Sequence, residues 1–334
     1  MTIPGAYLLF LGDVTDNTDA KTAFGLLHWR RELCAGQFRL PACRVDLEIA
    51  EVAPAAAKAA GAQTLVIGVA PIGGALAPSW IAPIVAALDA GLNVASGMHT
   101  RLGSVPEIAQ AAERNGRSLF DVRYSDRKFQ VATGRKRTGR RLLTVGTDCA
   151  IGKKYAALSI ARALNDRGIR ATFRATGQTG ILISGAGVAI DAVVADFIAG
   201  AAEWLSPDND PDHWDVIEGQ GSLFHPAYAG VSLGLLHGSQ PDAIVVCHDP
   251  SRQHLAGYPA FPVPDIGHCA ETNLRAAQLT NPHARWAGIS VNTSGMPSKD
   301  RDAYLWKLTS RHGLPCFDPI ATGAEAVAAA LGVF

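Results

Sequence analysis

RLLTVGTDCAIGK, residues 141–153, joins an apolar run to a tight glycine-containing turn and then to a Gly-Lys pair that opens a helix. Strand, turn and helix in that order aim backbone N–H groups and the positive end of a helix dipole at an anion, and the lysine adds a full charge. The usual phosphate loop reads G-x-x-x-x-G-K-[ST], and its last hydroxyl ligates Mg²⁺. In this chain five residues, not four, separate Gly146 from Gly152, and the residue after Lys153 is Lys154. The stretch is built to hold an anion but lacks the hydroxyl that brings the metal.

On both sides of this loop the chain alternates strand and helix. Before it, YLLFLGD (7–13), TLVIGVA (64–70), NVASGMH (93–99) and SLFDVR (118–123) read as strands, with helices around 83–90 and 105–115. TLVIGVA is apolar throughout, as expected of a strand covered on both faces of a parallel sheet. After it come helix 153–166, strand RATFRA (170–175), a Gly/Thr-rich loop TGQTGILISGAG (176–187) and helix 191–205. Strands WDVIEG (214–219), AIVVCHD (243–249) and RWAGISVN (285–292) follow, with helices 269–280 and 299–311 and an alanine-rich helix from Gly323. This is βαβ grammar, and it predicts an α/β protein with doubly wound sheets.

Residues 124–140, YSDRKFQVATGRKRTGR, break the alternation with dense charge and two glycine turns. They read as a solvated connector, although their place just before the loop leaves a binding role open. At 334 residues the chain has room for two domains. We place them at 1–130 and 131–334.

Composition is that of an ordinary globular enzyme, with 48% hydrophobic residues and a formal net charge of zero. That balance argues against nonspecific binding to nucleic acid or membrane. MTIPGAYLLFLGDV has no basic n-region and reads as a first strand rather than a signal peptide. The six cysteines show no C-x-x-C pairing, so neither a disulfide framework nor a zinc site is expected, and the chain reads as a reduced intracellular protein.

Four further stretches carry chemistry. In WDVIEGQGSLFHP (214–226), Glu218 ends a strand where open α/β sheets place their ligands, and the small residues after it allow close approach to the backbone. Glu218 either faces the loop across a crevice or caps the next helix. In FRATGQTG (173–180), Arg174 precedes Thr176 and Gln178, a set suited to a carboxylate, or else an ordinary surface loop with an ion pair. Asn292 ends a strand and offers a donor and an acceptor edge of the kind a purine ring takes. His99, His225, His237 and His248 each read as structural, with His225 the first to test. Cys149 lies inside the loop, where the helix N-terminus and Lys153 favour a thiolate.

Taken together, GTDCAIGK, FRATGQTG and VIEGQGS resemble the nucleotide loop, substrate loop and acidic strand of dethiobiotin synthetases, whose loop has the same five-residue gap and reads G-T-D-T-x-V-G-K-T. Lys154 stands where that class has threonine, which removes the Mg²⁺ ligand. Over the whole chain, YLLFLGD, GTDCAIGKK, RATGQTGILISG, DNDPDHWDVIEGQGSLFHPAY and ISVNT resemble the D-glutamate N-acetyltransferases, formerly a domain-of-unknown-function family. That resemblance implies a Rossmann-like N-terminal domain and a P-loop NTPase-like C-terminal domain. It also implies acetyl-CoA as co-substrate with no metal, D-glutamate as acceptor, and a separate dehydrogenase that consumes the product. A homo-oligomer in the cytoplasm is expected.

On this reading Gly146, Thr147, Cys149, Gly152, Lys153 and Lys154 hold the phosphates of the cofactor and Asn292 its adenine. Glu218 is the first candidate for general base, then His225, then Asp148. N–H groups of residues 219–222, with Ser222, face the oxyanion. Arg174, with Thr176 and Gln178, grips one carboxylate and Arg101 the other. Direct transfer and an acyl-cysteine intermediate on Cys149 both remain open. Two other functions compete: a Mg-ATP-dependent ligase or kinase acting on a small carboxylate, which Lys154 opposes, and a nucleotide-binding regulatory protein without catalysis.

Overall fold

The computed structural model describes residues 3–71, 73–125 and 127–332. The chain forms two compact units, each α/β. One comprises residues 1–126 with Gln178–Ala189, and the other comprises residues 127–177 with 190–334.

The first unit is built on β1 (Tyr7–Gly12), β2 (Cys34–Arg39), β3 (Thr64–Ile67), β4 (Asn93–Ser96) and β5 (Leu119–Asp121). They pair in the order β2-β1-β3-β4-β5, parallel throughout. Every residue of β1 and β3 is buried, which is why both read as unbroken apolar runs. Helices α1 (Lys21–Trp29), α2 (Pro54–Ala59), α3 (Ile81–Asp89) and α4 (Pro106–Asn115) connect the strands. The sequence reading missed β2, because its string CAGQFR buries only its two middle residues and has no apolar alternation.

The second unit holds β6 (Arg140–Gly146), α5 (Lys153–Asp166), β7 (Ala171–Arg174), α7 (Ile198–Leu205) and β8 (Trp214–Ile217). It continues through α8 (Ala229–Ser239), β9 (Ala243–His248), a two-stranded hairpin of β10 (His254–Leu255) and β11 (Tyr258–Pro262), and α9 (Ile266–Gln278). β12 (Arg285–Val291), α10 (Ser298–His312), β13 (Cys316–Phe317) and α11 (Glu325–Leu331) complete it. Its six-stranded sheet runs β13-β12-β9-β6-β8-β7, again parallel. The core under α5 packs Ala156, Ile160 and Leu164 against Leu142, Val216, Val245 and the buried face of α11. β6 lies at the centre of this sheet, so the loop at its C-terminal end opens where β8 and β9 also end.

Three expectations need correction. Residues 176–187 are not a loop throughout: α6 (Gln178–Ser184) lies within them, with five of its seven residues buried in the first unit. Thr179 Oγ1 meets Thr22 Oγ1 at 2.9 Å, and Arg30 Nη1 donates to Ile183 O at 2.7 Å. The glycine-rich composition hid the apolar triplet Ile181–Leu182–Ile183. Helix 191–205 is instead two 3₁₀ turns, Ile190–Ala192 and Ala195–Phe197, followed by α7, with β-branched Val193 and Val194 at the break.

Nor is the connector solvated along its whole length. Arg137 is buried and donates to the carbonyls of Glu203, Ser206, Gly238 and Ser239. Arg141 is 1% exposed and donates to Ser206 Oγ and to the carbonyls of Thr138 and Pro207. A planar guanidinium with five donors can satisfy several carbonyls at once, so these arginines bind the segment onto the second unit.

Candidate functional site

Between β6 and α5 the chain turns through Thr147–Gly152. Gly152 adopts φ 101°, a conformation that L side chains avoid, and hands the chain to α5; Ala150 reaches φ 51° without being glycine. Lys153, the first residue of α5, points back into the loop, where its buried Nζ donates to Asp148 O at 2.6 Å. Burial pushes its pKa down; nearby acidic groups, Cys149 foremost, oppose that fall. Thr147 Oγ1 lies 3.1 Å from His248 Nδ1, and burial lowers the pKa of that imidazole.

Asp148 is fully buried and both of its carboxylate oxygens are hydrogen-bonded. Oδ1 accepts from Cys149 N at 2.7 Å, and Oδ2 accepts from Arg252 Nη1 at 2.6 Å and from Ala256 N at 2.9 Å. Arg252 also donates to Cys149 O at 2.8 Å and Ala150 O at 3.2 Å. One guanidinium therefore fixes the loop through a side chain and two carbonyls. Sequence reasoning missed Arg252; the only signal was a cation just past the C-terminal end of a buried strand.

His225 lies against the same segment. Its Nδ1 accepts from Ala227 N at 3.2 Å, so the ring proton sits on Nε2, which donates to Ala256 O at 3.1 Å. Ala256 thus bonds Asp148 through its N–H and His225 through its carbonyl. Tyr228 stacks on the imidazole at 4.6 Å, and Tyr258 meets it edge-on at 4.9 Å. Both ring nitrogens of His225 are therefore in use, which argues against it as the general base. Asp148 is set aside as a base for the same reason.

Donor atoms of Asp148, Cys149 and His225 all fall within 4.8 Å of one another. That spacing suits a cation, but the chemistry does not. The oxygens of Asp148 and the nitrogens of His225 are already bonded, and a guanidinium stands 2.6 Å from the carboxylate. The cluster sets a partly exposed thiol beside a carboxylate and an imidazole whose hydrogen bonds are already made.

Glu218 follows the last residue of β8 and is 5% exposed. Its Oε2 accepts from Thr176 N at 3.0 Å and from Gly177 N at 3.1 Å, while Thr176 Oγ1 donates to Glu218 O at 2.6 Å. Gln220 Nε2 donates to Thr176 Oγ1 at 3.0 Å. Burial raises the Glu218 pKa above the ordinary carboxylate range, and the Lys154 charge, the two N–H groups and Lys153 act against that rise. The next helix, α8, starts at Ala229, so Glu218 does not cap it. A small crevice beside it is lined by residues 143–146 of β6, by Gly219–Leu223 and by Asn273.

Other expected residues are spent elsewhere. Arg174 Nε donates at 2.8 Å to Asp215, a carboxylate buried among Ser206, Asn209 and His213, so the expectation of a substrate clamp gives way to an internal ion pair. Asn292 donates to Asp249 Oδ2 and accepts from Ser294 N, so both edges expected to read adenine are in use. Gly219 N donates to Thr144 Oγ1 at 2.9 Å and is lost to an oxyanion, and Ser222 Oγ accepts from Phe224 N. Gln178 and Arg101 belong to the first unit, where Gln178 packs on Gly97 and the Arg101 guanidinium lies 4.1 Å from the centre of the Tyr124 ring.

Fold and site together define a class: a two-unit α/β protein whose second unit carries an anion loop at the centre of a parallel sheet, beside a buried carboxylate. Residues 130–328 match the domain of unknown function described as DUF1611_C, a P-loop domain, and residues 38–125 match its partner DUF1611_N, a Rossmann-like domain. The chain belongs to this family. It is 49% identical over 325 residues to a D-glutamate N-acetyltransferase of Tritonibacter scottomollicae, covering 97% of this chain and 98% of that one. A D-glutamate N-acetyltransferase of a Pseudoalteromonas species is 47% identical over 331 residues, covering 99% and 100%. The crystal structure of a DUF1611 family protein from Anabaena variabilis superposes with a TM-score of 0.87 at 31% identity, covering 98% of this chain and all of that one. No helix among the described residues is long and apolar enough to cross a membrane.

Proposed function

We propose that this chain transfers the acetyl group of acetyl-CoA to the amine of D-glutamate. The observation that carries the reading is identity of 47–49% with two enzymes so named, spread over essentially the whole length of each chain. The site supports it with a carboxylate whose raised pKa suits a general base, set beside a loop in which Lys154 replaces the hydroxyl that ligates Mg²⁺.

The length of acetyl-CoA bears on which of its ends belongs at the loop. The pantetheine arm has about a dozen bonds, as many as four extended residues, and so spans about 14 Å. An extended acetyl-CoA therefore carries its thioester well away from its diphosphate and does not place both at one loop. The candidate base, the thiol and both lysines all gather at the loop, so in this reading the acetyl end lies there and the phosphates lie elsewhere. The amine of D-glutamate must be neutral to attack, and Glu218 takes its proton. N–H groups at the start of α5 stabilise the charge that develops on the acetyl oxygen, and Lys154 faces a substrate carboxylate. The enzyme works in the cytoplasm and passes N-acetyl-D-glutamate to a separate dehydrogenase.

The test is release of CoA thiol from acetyl-CoA with D-glutamate, L-glutamate or no acceptor, each with EDTA and with Mg²⁺. Release that needs D-glutamate and ignores EDTA is expected. Absence of release, with ADP formed from ATP and Mg²⁺ instead, would overturn the reading in favour of a ligase or kinase.

A further inference from the structure

We propose that Cys149 is the covalent acetyl acceptor, so that transfer runs in two steps through an acetyl-cysteine; the proposal rests on the acetyl end of acetyl-CoA lying at the loop. The thiol is partly exposed, and its backbone is held on both sides: its N–H donates to Asp148 Oδ1, and its carbonyl accepts from Arg252. Its Sγ lies within 4.8 Å of the Asp148 carboxylate and the His225 ring. Both of those groups are immobilised, one by Arg252 and Ala256 N and the other by Ala256 O and Ala227 N. The thiol sits in the turn between β6 and α5, followed by Ala150 at φ 51°.

The charge that activates it comes from Lys153. That ammonium is buried and is anchored to Asp148 O, one residue before the thiol; burial pushes its pKa down, and Cys149 is the first of the nearby groups that oppose the fall. A lysine whose proton is loosened by burial, held next to a thiol in one loop, can take and return a proton as that thiol reacts. The helix start favours the thiolate as well.

The Cys149 thiolate attacks the acetyl carbonyl, an S–C bond forms, and the bond to CoA sulfur breaks. The departing CoA thiolate takes the proton that Cys149 had given up, carried by Lys153. The amine of D-glutamate, having lost one proton to Glu218, then attacks the acetyl-cysteine. A C–N bond forms, the S–C bond breaks, and the second amine proton leaves through Lys153 or solvent as the Cys149 thiolate is regenerated. Exchange of one thioester for another is nearly neutral in energy, so neither oxidant nor nucleotide is required.

The experiment is isotope exchange without an acceptor. Wild-type protein is mixed with acetyl-CoA and labelled CoA, D-glutamate is omitted, and label entering acetyl-CoA is counted. Exchange is expected, together with a single acetyl group mapped to Cys149 after acid quenching. Cys149→Ala should lose both signals, and its turnover with D-glutamate should fall by at least about 100-fold, while its melting temperature shows that it remains folded. Absence of exchange in the wild-type protein, or turnover of D-glutamate by Cys149→Ala at the wild-type rate, overturns the proposal and leaves the acetyltransferase reading intact. Exchange without any acetylation of D-glutamate does the reverse: the acyl-enzyme stands and the acceptor is wrong.

Discussion

Replacing Arg252 with alanine isolates the clamp that shapes the loop. The guanidinium bonds the Asp148 carboxylate at 2.6 Å and the carbonyls of Cys149 and Ala150 at 2.8 and 3.2 Å. The Asp148 side chain is 0% exposed and that of Arg252 is 27% exposed. Breaking a fully buried ion pair costs about 3–5 kcal/mol because one charge is left uncompensated. Asp148 keeps two N–H donors, and water can reach the position of the guanidinium, so about 2 kcal/mol is the better figure. In a domain of this size that lowers Tm by about 4–8 °C. A loosened loop also misplaces Cys149 and the N–H groups at the start of α5, and kcat/KM should fall by about 10–100-fold. Arg252→Lys restores one charge but not the fork, and should recover part of the stability and little of the rate. Thermal unfolding followed by circular dichroism, with steady-state kinetics on the same samples, reads both effects. A variant with unchanged Tm and kcat/KM within about twofold of wild type would refute the clamp.

Glu218→Gln should lower kcat by about 10²–10⁴-fold and abolish the acid limb of the rate profile, which in the wild-type protein lies above the ordinary glutamate range; a limb that survives the substitution would assign the base elsewhere. Because the folded pKa of Glu218 is raised, the native chain binds more protons than the unfolded chain between the two pKa values. Wild-type stability therefore falls as pH rises through that window, and urea unfolding of Glu218→Gln should lack that contribution. Gly219→Ala places a Cβ 1.6 Å from Thr144 O and should cost at least about 3 kcal/mol or prevent folding; a variant that melts with the wild-type protein would show that β6 and the 219–222 segment can part. Arg137→Leu removes a donor from four carbonyls, three of them buried, and should destabilise by about 3–5 kcal/mol in chemical unfolding, against an expectation of no change if the connector were solvated.

The parallel strands were legible because burial on both faces writes an unbroken apolar run, as in TLVIGV and AIVVC, and α5 was legible because the Gly-Lys pair marks its start. What escaped notice depended on partners far along the chain. CAGQFR pairs with β1 through its backbone, and QTGILIS becomes helical where its apolar triplet finds cover. In the candidate site, Glu218 and Cys149 were singled out because a strand end and a loop advertise them. Arg252 was not, since its role exists only once β9 ends beside β6. The opposite error befell Arg174 and Asn292. Residue type suggested a ligand, and neighbours that no local pattern reveals had already claimed their polar atoms.

The twelve residues from Gln178 to Ala189 pack with the first unit although the chain on either side of them belongs to the second. Neither unit is therefore a continuous piece of coding sequence. A fragment cut between residues 126 and 127 would carry Ile181, Leu182 and Ile183 without the surface that buries them, and the other fragment would lack a helix of its own core. Each half depends on the other for a part, so recombination can neither trade them singly nor lose one and keep the other folded. The pairing of the two halves across the full length of relatives is what such an interlocked chain requires.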